Sequence, residues 1–533
     1  MNQYPRFKAS GTGAVARNWR DKVREVVSVK DYGAVGDGST DDTAAIQSAI
    51  DRLVANGGGC LYTPPGFYKT TSVLSITKGI IIQGAGLGVG TGSGNSGGTV
   101  IRNASASGDV FTISSAESVS IRDLAIDCPS FTKSSGTAGI RIQGAGGSGN
   151  VNNRTRLENV RISNMYDGVM FDAASNCVIQ ACHIQDFLNV GIYSKNTGGV
   201  DSGHNTINAC VIWDLNVGTS QAGIRYDKGG DIRIVNNKIL GGDYGLRIAL
   251  DDGETGTLLI TGNSFEEQLI NDIRIGQATV SKNLGNVVIC GNQFSIIAPT
   301  TPQSNIAVVA GTAGGGATSW VKNISITGNV FNNAHNAAYY AISVQDGEGV
   351  VVSSNVISGG GNANPGGIDV SGSTVSAKVV GNSIFDMPSN KYSPATTFFR
   401  QPSAVLTFST GGATVPAGST VYLTPGGYST TEAQAFMYIP FAAMACNFMT
   451  HGQTGAGGVD TFTYRLRANG ANTSIVATAT GANSDAQDRT NTATIPSPAG
   501  PSTAARVSVM LTTSATAAAV AHTVSFQVVD NDL

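Results

Sequence analysis

IQACHIQDFLNVG at residues 179–191 returns as INACVIWDLNVG at residues 207–218. Looser copies follow, and each carries a Cys or an Asn at the same point of the repeat. These positions are Cys182, Cys210, Asn237, Asn263, Asn292, Asn329, Asn355 and Asn382. They are 26 to 29 residues apart, with one longer interval of 37. Strand-rich repeats of this length, without a helical period, predict a parallel β-solenoid in which each repeat forms one coil of three short strands.

The repeated position predicts a ladder of side chains along the solenoid. Neighbouring coils stack about 4.8 Å apart, so we expect each asparagine to hydrogen-bond the same corner of the next coil. Cys182 and Cys210 fall on this ladder, where stacked buried thiols are favoured over a disulfide. GTAGGGATS (311–319) and GLGVGTGSGNSGG (86–98) are interpreted as inserted surface loops.

Composition excludes several classes of protein. Hydrophobic residues make up 41% and charged residues only 13%, which argues against disorder and against a coiled coil. The net charge of −3 argues against a general nucleic-acid binder. The polar start predicts no signal peptide, and no apolar run approaches the ~18 residues of a membrane helix. Seven Cys without CxxC spacing predict no disulfide scaffold.

The two ends of the chain differ from the repeats. Residues 1–28 form a polar lead or neck. Ile46, Ile50 and Leu53 then repeat at helical spacing, with Thr40 or Asp41 as candidate caps and three glycines at 57–59 to end the helix. From about residue 400 the chain is rich in Thr, Ala and Ser, and TFTYRLRANGANTSIVATATG (461–481) alternates around an Asn-Gly turn. About eight such strands predict a jelly-roll-like β-sandwich.

VKDYGAVGDGSTDDTAAIQSAI (29–50) and GGGCLYTPPGFYKT (57–70) resemble the start of the pectate-lyase-like right-handed β-helix of bacteriophage tailspikes and capsule depolymerases. The resemblance implies an all-β protein with a short N-terminal capping helix, a right-handed parallel β-helix and a C-terminal β-sandwich. We expect a neck at 1–28, a catalytic β-helix at 29–395 and a trimerisation or carbohydrate-binding domain at 400–533.

The same resemblance implies the partners and the place of action. It implies a homotrimer in the virion tail that folds in the host cytoplasm and binds bacterial capsular or O-antigen polysaccharide. The N-terminus would join the phage tail or another tail protein, and only a very short anchor fits unless the chain is truncated. No membrane partner and no nucleic-acid partner are expected.

Two columns of residues are predicted to face outward from the coils. The first takes the third residue of the repeated strand GIRIQ (139–143) and its copies, namely Arg141, Met170, Tyr193, Arg225, Arg247 and Arg274. Arginines about 5 Å apart cannot pair with one another. They need neighbouring carboxylates or a carboxylate of a bound glycan, and both interpretations stay open.

The second column follows the Asn corner. It consists of Gln185, Trp213, Leu240, Glu266, Ser295 and Asn332, flanked by Asp186, Asp214, Gly241 and Glu267. Carboxylates concentrate between residues 201 and 272, so the candidate catalytic residues are Asp214, Asp243, Glu266 and Glu267. The candidate substrate-binding residues are Trp213, Arg225, Tyr226, Tyr244, Arg247 and Arg274. The competing interpretations are solvated acids paired with the arginines, and local packing of Trp213.

Paired carboxylates favour glycoside hydrolysis, in which one acts as an acid and the other as a base or nucleophile. The first alternative is a lyase acting on a uronic-acid glycan, for which Arg225, Arg247, Tyr226 and Lys228 are candidates. A non-enzymatic receptor-binding spike and, more distantly, an epimerase are the others. We expect no cofactor and no metal site, because the five His are scattered and Asp251–Glu254 only faintly resembles a calcium loop. An esterase is unsupported because no GxSxG elbow, in which a strand turns sharply into a helix, is recognised.

Overall fold

The computed structural model divides the chain into two compact units, 1–398 and 399–533. The residues it describes are 5–88, 90–91, 94–95, 97–128, 133–144, 153–195, 203–214, 221–227, 229–248, 257–276, 284–295, 304–309, 321–332, 340–345, 347–359, 366–370, 377–385, 392–393, 399–400, 404–410, 413–424, 427–432, 437–439, 443–452, 460–480, 485–488, 491, 493–495, 505–515 and 521–530.

The first unit is a parallel β-helix, as predicted. Each coil contributes one strand to each of three faces, which we call A, B and C in chain order. Three long strands pass through corners and serve two or three faces: Ser120–Asp127, Arg156–Asp172 and His183–Lys195. The other strands of face A are Val26–Ser28, Cys60–Thr63, Ile81–Gly84, Val178–Gln180, Thr206–Asn208, Ile232–Val235, Leu258–Thr261, Leu284–Cys290, Val321–Thr327, Val350–Ser353 and Ala377–Val380.

The strands of faces B and C follow the same order. Face B further contains Asp37–Asp41, Gly66–Thr70, Thr99–Asn103, Val211–Asp214, Lys238–Gly241, Ser264–Glu266, Gln293–Ser295, Val330–Asn332, Val356–Ser358 and Ser383–Phe385. Face C further contains Leu74–Ile76, Phe111–Ser114, Ala138–Gln143, Ala222–Tyr226, Tyr244–Ile248, Asn271–Ile275, Ile306–Val308, Tyr340–Val344, Gly366–Asp369 and Tyr392–Ser393. Two short antiparallel pairs lie outside the coils: Arg6–Phe7 with Arg17–Asn18, and Gly90–Thr91 with Gly94–Asn95.

The predicted ladder between faces A and B is confirmed. Asn237 donates its backbone N–H and its Nδ2 to Oδ1 of Asn263, at 2.9 and 3.0 Å. The same pair of bonds links Asn263 to Asn292 and recurs in each step to Asn382. Each amide is buried and also donates to a face A carbonyl of the previous coil, as Asn263 does to Ile234 at 2.9 Å. The ladder therefore satisfies buried polar groups and sets the register of the coils.

Cys182 and Cys210 continue this ladder as free, buried thiols, so the expected thiol state is confirmed. The residue before the ladder position adopts positive φ on successive coils, which turns the chain from face A to face B. Examples are Ala209 at 54°, Asn236 at 56° and Gly262 at 68°. Inside the coils, Phe265, Phe294 and Phe331 stack with ring centroids 5.2 and 4.5 Å apart. One continuous apolar core thus runs along the β-helix.

The amino-terminal end of the β-helix is covered by helices. The described helices are Trp19–Val23, the 3₁₀-helix Val29–Tyr32 and Thr43–Ala55. Ile46, Ile50 and Leu53 are buried in the core, as their spacing predicts. The N-cap residue is Asp42 and not Thr40 or Asp41, but Asp41 Oδ1 does accept a hydrogen bond from the N–H of the first helical residue, Thr43, at 3.0 Å. The Asp42 carboxylate accepts hydrogen bonds from the N–H groups of Val35 and Gly36 instead. Positive φ at the three glycines of 57–59 follows the end of this helix.

The second unit is an antiparallel β-module with its own core. Its strands form one continuous, barrel-like sheet: Ala404–Ser409, Thr420–Thr424, Gly427–Ser429, Met437–Ile439, Ala443–Gly452, Thr461–Ala468, Ala471–Thr480, Asp485–Asp488, Ala493–Ile495, Ala505–Thr513 and His522–Asp530. The predicted hairpin turn is present, with φ of 47° at Asn469 and 81° at Gly470. Buried Tyr464 Oη lies 2.7 Å from Nδ1 of buried His522 and ties two strands of the module together.

Candidate functional site

The predicted arginine column is a register column of face C. Direct pairings run from Arg141 through Met170, Tyr193, Arg225 and Arg247 to Arg274. Arg225, Arg247 and Arg274 are all partly exposed. This is expected, because side chains alternate between the two sides of a strand and only one side is buried here. The three arginines differ in their surroundings, however. Arg225 is paired with a carboxylate of the protein, whereas Arg247 and Arg274 are available to a ligand.

Arg225 is held by the protein itself. Its Nε and Nη2 contact the two carboxylate oxygens of Asp227 at 2.8 and 2.7 Å, and its Nη1 donates to Gln221. Tyr193 donates its hydroxyl to the same carboxylate at 2.7 Å, and burial together with this bond raises the pKa of Tyr193. Arg141 is held in the same way by Asp109 at 2.6 Å. For these two arginines the ion-pairing interpretation is correct.

Arg247 and Arg274 lie over one aromatic ring. Their guanidinium carbons are 5.5 and 5.8 Å from the ring centroid of Tyr244, which is within cation–π range. Among the described residues neither arginine has a carboxylate within ion-pair distance, and Nε of Arg247 is buried without a hydrogen-bond partner. Two adjacent guanidinium groups repel each other, so an anion held by both would lower the energy of this arrangement.

The second predicted column is a register column of face B. Gln185, Trp213, Leu240, Glu266, Ser295 and Asn332 pair in that order. Glu266 forms an ion pair with Lys238 at 3.1 Å and accepts a hydrogen bond from Ser264. Trp213 is partly exposed between Gln185 and Leu240, which leaves part of its ring available for a ligand.

Asp243 and Glu267 lie at the corner between faces B and C. Asp243 follows two glycines with φ of 74° and 75°, which make a tight turn into the face C strand. Its side chain is half-buried, and this burial raises its pKa. Glu267, on the next coil, is exposed and adopts φ of 62°. The corner therefore presents one carboxyl whose pKa is raised by burial and one that is exposed to water.

Two of the predicted site residues do not face solvent. Asp214 is fully buried, because it follows the outward Trp213 and so faces the interior. Tyr226 is also fully buried, because it follows the outward Arg225, and it lies within hydrogen-bond distance of Nδ2 of Asn205. Burial raises the pKa of Tyr226 to about 12. Their burial therefore argues against a direct contact of either residue with a polymer on the outer surface. Lys228 and Asp251–Glu254 lie outside the described residues.

A polar pocket that the sequence analysis missed lies further up face B. It has a volume of about 200 Å³ and is lined by Gly88, Val100, Ala125, Asp127, Arg161, Ser163, Asn164, Gln185 and Asp186. Asp127, Ser163 and Gln185 are the upstream members of the Trp213 column, since they pair directly from coil to coil. Extending that column upstream from Gln185 would have identified them.

The described residues contain no group of three or more potential metal ligands of the His, Cys, Asp and Glu types. Among the helices that the structure describes, none is both long and apolar enough to cross a membrane.

Parts of the chain are similar to known proteins. Residues 26–247 match the family described as rhamnogalacturonase A/epimerase, pectate lyase-like. The chain is similar to mannuronan C5-epimerase AlgE3 of Azotobacter vinelandii, with 48% identity over 68 residues. That match covers 11% of this chain and 4% of the relative, so the chain spans a small part of the relative's length.

Two solved structures share the fold. The A-module of mannuronan C-5 epimerase AlgE4 from Azotobacter vinelandii has a TM-score of 0.51 at 20% identity, covering 70% of this chain and 100% of that chain. A mutant tailspike protein of E. coli bacteriophage HK620, solved with a pentasaccharide, has a TM-score of 0.50 at 12% identity, covering 96% and 97%. At these identities the likeness shows the fold, a parallel β-helix, and tailspikes are among the structures that share it.

Proposed function

We propose that the protein is a tailspike depolymerase that binds and cleaves bacterial capsular or O-antigen polysaccharide. The observation that carries the proposal is the corner between faces B and C. There the half-buried Asp243, whose pKa is raised by burial, lies one coil before the exposed Glu267. The next residue in the chain is Tyr244, and the guanidinium groups of Arg247 and Arg274 lie over its ring. The family match over residues 26–247 and the tailspike-like fold support a polysaccharide as the substrate.

Hydrolysis is the proposed reaction. Asp243 in its protonated form would give its proton to the glycosidic oxygen as the bond to the sugar breaks. The exposed Glu267 carboxylate would take a proton from the attacking water or attack the sugar itself. Trp213 offers an aromatic face for a sugar ring, and Arg247 with Arg274 would hold an acidic substituent of the glycan.

A lyase or an epimerase is the second candidate, and it is favoured by Arg247 and Arg274, which have no carboxylate partner among the described residues. Both reactions begin by removing a proton next to a uronic-acid carboxylate, and a cation on that carboxylate stabilises the resulting charge. Arg247 and Arg274 suit this task, and Tyr244 between them is the nearest candidate base. The similarity to mannuronan C5-epimerase AlgE3 supports the same class.

Incubation with a panel of purified capsules and O-antigens tests the proposal. A hydrolase shortens one polymer and gives fragments whose masses include one added water per cut. A lyase gives unsaturated ends that absorb in the ultraviolet, whereas an epimerase leaves the chain length unchanged and alters the proton NMR spectrum. Surface binding without any change in the polymer would instead identify a receptor-binding spike.

We also propose that the protein is a homotrimer in the virion tail, joined to the phage tail or to another tail protein through its N-terminus. Large apolar side chains are exposed in several described regions, and two of these regions are candidates for contacts between copies of the chain. One is the N-terminal lead with Val15, Trp19 and Val23, and the other is face B near Val356 and Phe385. Contiguous exposed apolar surface marks contact sites between proteins, and contacts between copies of this chain would cover it.

A further inference from the structure

We infer that the polar pocket on face B binds a neutral sugar unit of the polymer, so that substrate recognition extends upstream of the carboxylates. This inference rests on the proposed function for its ligand class. The pocket and the candidate acids belong to one face, since Gln185 at the pocket pairs directly with Trp213, and Leu240 and Glu266 follow on the next two coils. A linear glycan lying along this column would meet the pocket, then the indole ring, then the acids.

The floor of the pocket is built and rigid. Asp127 accepts hydrogen bonds at Oδ1 from Asn164 and Ser163, at 2.8 and 3.3 Å. Its Oδ2 pairs with Arg102 at 3.0 Å, and the guanidinium carbon of Arg102 lies 4.7 Å from the ring centroid of Phe67. The Asp127 charge is therefore already neutralised, and its side chain holds Asn164 and Ser163 in place rather than recruiting a cation.

Two side chains of the pocket keep unused hydrogen-bonding capacity. Arg161 makes no hydrogen bond or ion pair with any residue in the described part of the chain, although its Nε is buried. Asp186 receives one hydrogen bond, at Oδ2 from Gln185 at 2.8 Å, and its Oδ1 has no partner among the described residues. A guanidinium with free donors and a carboxylate with a free oxygen together match hydroxyl groups, which both accept and donate.

The charge of the lining selects against an acidic sugar. Asp127 and Asp186 both line the pocket, and Arg161 is the single cation among its lining residues. Because Arg102 already neutralises Asp127, the acidic group of a uronic acid or a sulfated sugar would lie beside the Asp186 carboxylate and compete with it for Arg161. Arg247 and Arg274 on face C show the opposite arrangement, with two cations and no described carboxylate partner. The two regions therefore suit different sugars of one repeating unit.

The inference is tested by saturation-transfer NMR on the full chain. The probes are methyl glycosides of glucose, galactose, mannose, rhamnose and N-acetylglucosamine, with the methyl glycosides of glucuronic and galacturonic acid for comparison. We expect transfer to at least one neutral glycoside and weaker transfer to both acids. Asp186→Asn should weaken binding of the neutral glycoside about tenfold or more, because a charge-assisted hydrogen bond is lost. Arg161→Met, which keeps the side-chain length, should do the same.

The controls separate the pocket from the rest of the molecule. Asp186 has φ of 53° and Asn tolerates this conformation, so Asp186→Asn keeps the corner. Asp231→Asn changes an exposed acid with the same φ of 53° on face A and should leave binding unchanged. Preference for the acidic glycosides, no transfer to any neutral glycoside, or undiminished transfer in both pocket variants would overturn the inference. Binding without cleavage of any polymer would refute the proposed function and leave the pocket standing.

Discussion

Arg225 and Arg247 occupy the same register position on neighbouring coils, yet within the described part of the chain only Arg225 is paired with a carboxylate. Asp227 directly follows the strand of Arg225, and its carboxylate accepts a hydrogen bond from the Arg225 guanidinium. The guanidinium of Arg247 lies over the ring of Tyr244 instead. The two arginines thus differ in role: Arg225 is part of a structural ion pair, whereas Arg247 is available to a ligand. The difference leads to opposite expectations for substitution.

Replacing Arg247 by Ala should raise the KM for an acidic glycan about tenfold or more, because a charge-assisted contact is lost, and should leave the fold intact. Arg225→Ala should instead destabilise the chain by about 3–5 kcal/mol, since it leaves the buried Asp227 charge uncompensated. Steady-state kinetics and thermal unfolding of both variants distinguish the two effects. Arg156→Ala, at an exposed arginine of face A, serves as the control. Equal KM values for Arg247→Ala and the parent chain would show that the pair holds no substrate group.

Asp243→Asn and Glu267→Gln should each lower kcat by at least about 10²-fold if the two carboxyls act as acid and base. Burial raises the pKa of Asp243, and the acid must be protonated to act. Activity should therefore fall as pH rises through that pKa, and Asp243→Asn should abolish this dependence. Polymer cleavage assays across pH provide the measurement, with Asp231→Asn as the matched surface control. Full activity in both site variants would exclude this pair.

The sequence predicts the scaffold better than it predicts the site. The recurring Asn corner and the recurring face C strand allow the columns of Trp213 and Arg247 to be aligned residue by residue, and every register pair predicted for them is present. Strand alternation, applied one residue further, would also have placed Asp214 and Tyr226 inside. The burial of Asp243, and with it the direction of its pKa shift, could not be predicted from the sequence, because it depends on how the corner folds around the side chain. The pairing of Arg225 depends likewise on the side-chain direction of Asp227, which no period encodes.

Asn292→Ala should destabilise the β-helix strongly. The substitution removes the acceptor of Asn263 N–H and Nδ2 and the donor to the Ile260 carbonyl. Each buried group left unpaired costs about 1–3 kcal/mol. Asn332→Ala removes an exposed amide from face B and should be close to neutral. Unfolding rates in urea compare the two variants, and similar rates would mean that the ladder adds little to stability.

The trimer proposal predicts a particle of three times the chain mass of 54.5 kDa. Multi-angle light scattering at micromolar concentration measures this directly. Val356→Asp introduces a charge on the exposed apolar part of face B and should promote dissociation if that surface is covered in the trimer. Val15→Asp makes the corresponding change in the lead. A monomer in the unsubstituted chain would refute the proposal.

The β-helix should lose stability as pH rises from about 4 to about 7, because of Asp272. This residue is buried, accepts a hydrogen bond from Asn305 at 2.6 Å, and has an Oδ1 without a partner among the described residues. Burial raises its pKa from 3.8 to about 7. The folded state therefore holds a proton that the unfolded state has released, so the stabilisation is complete below pH 4 and is lost through pH 7.

Asp272→Asn replaces the acid by a neutral isostere that still accepts a hydrogen bond from Asn305. It should raise the unfolding temperature at pH 8 by a few degrees and have little effect at pH 4. Melting curves at both pH values, with the exposed Asp231→Asn as control, provide the test, and an unchanged difference between pH 4 and pH 8 would show that Asp272 does not set the pH dependence.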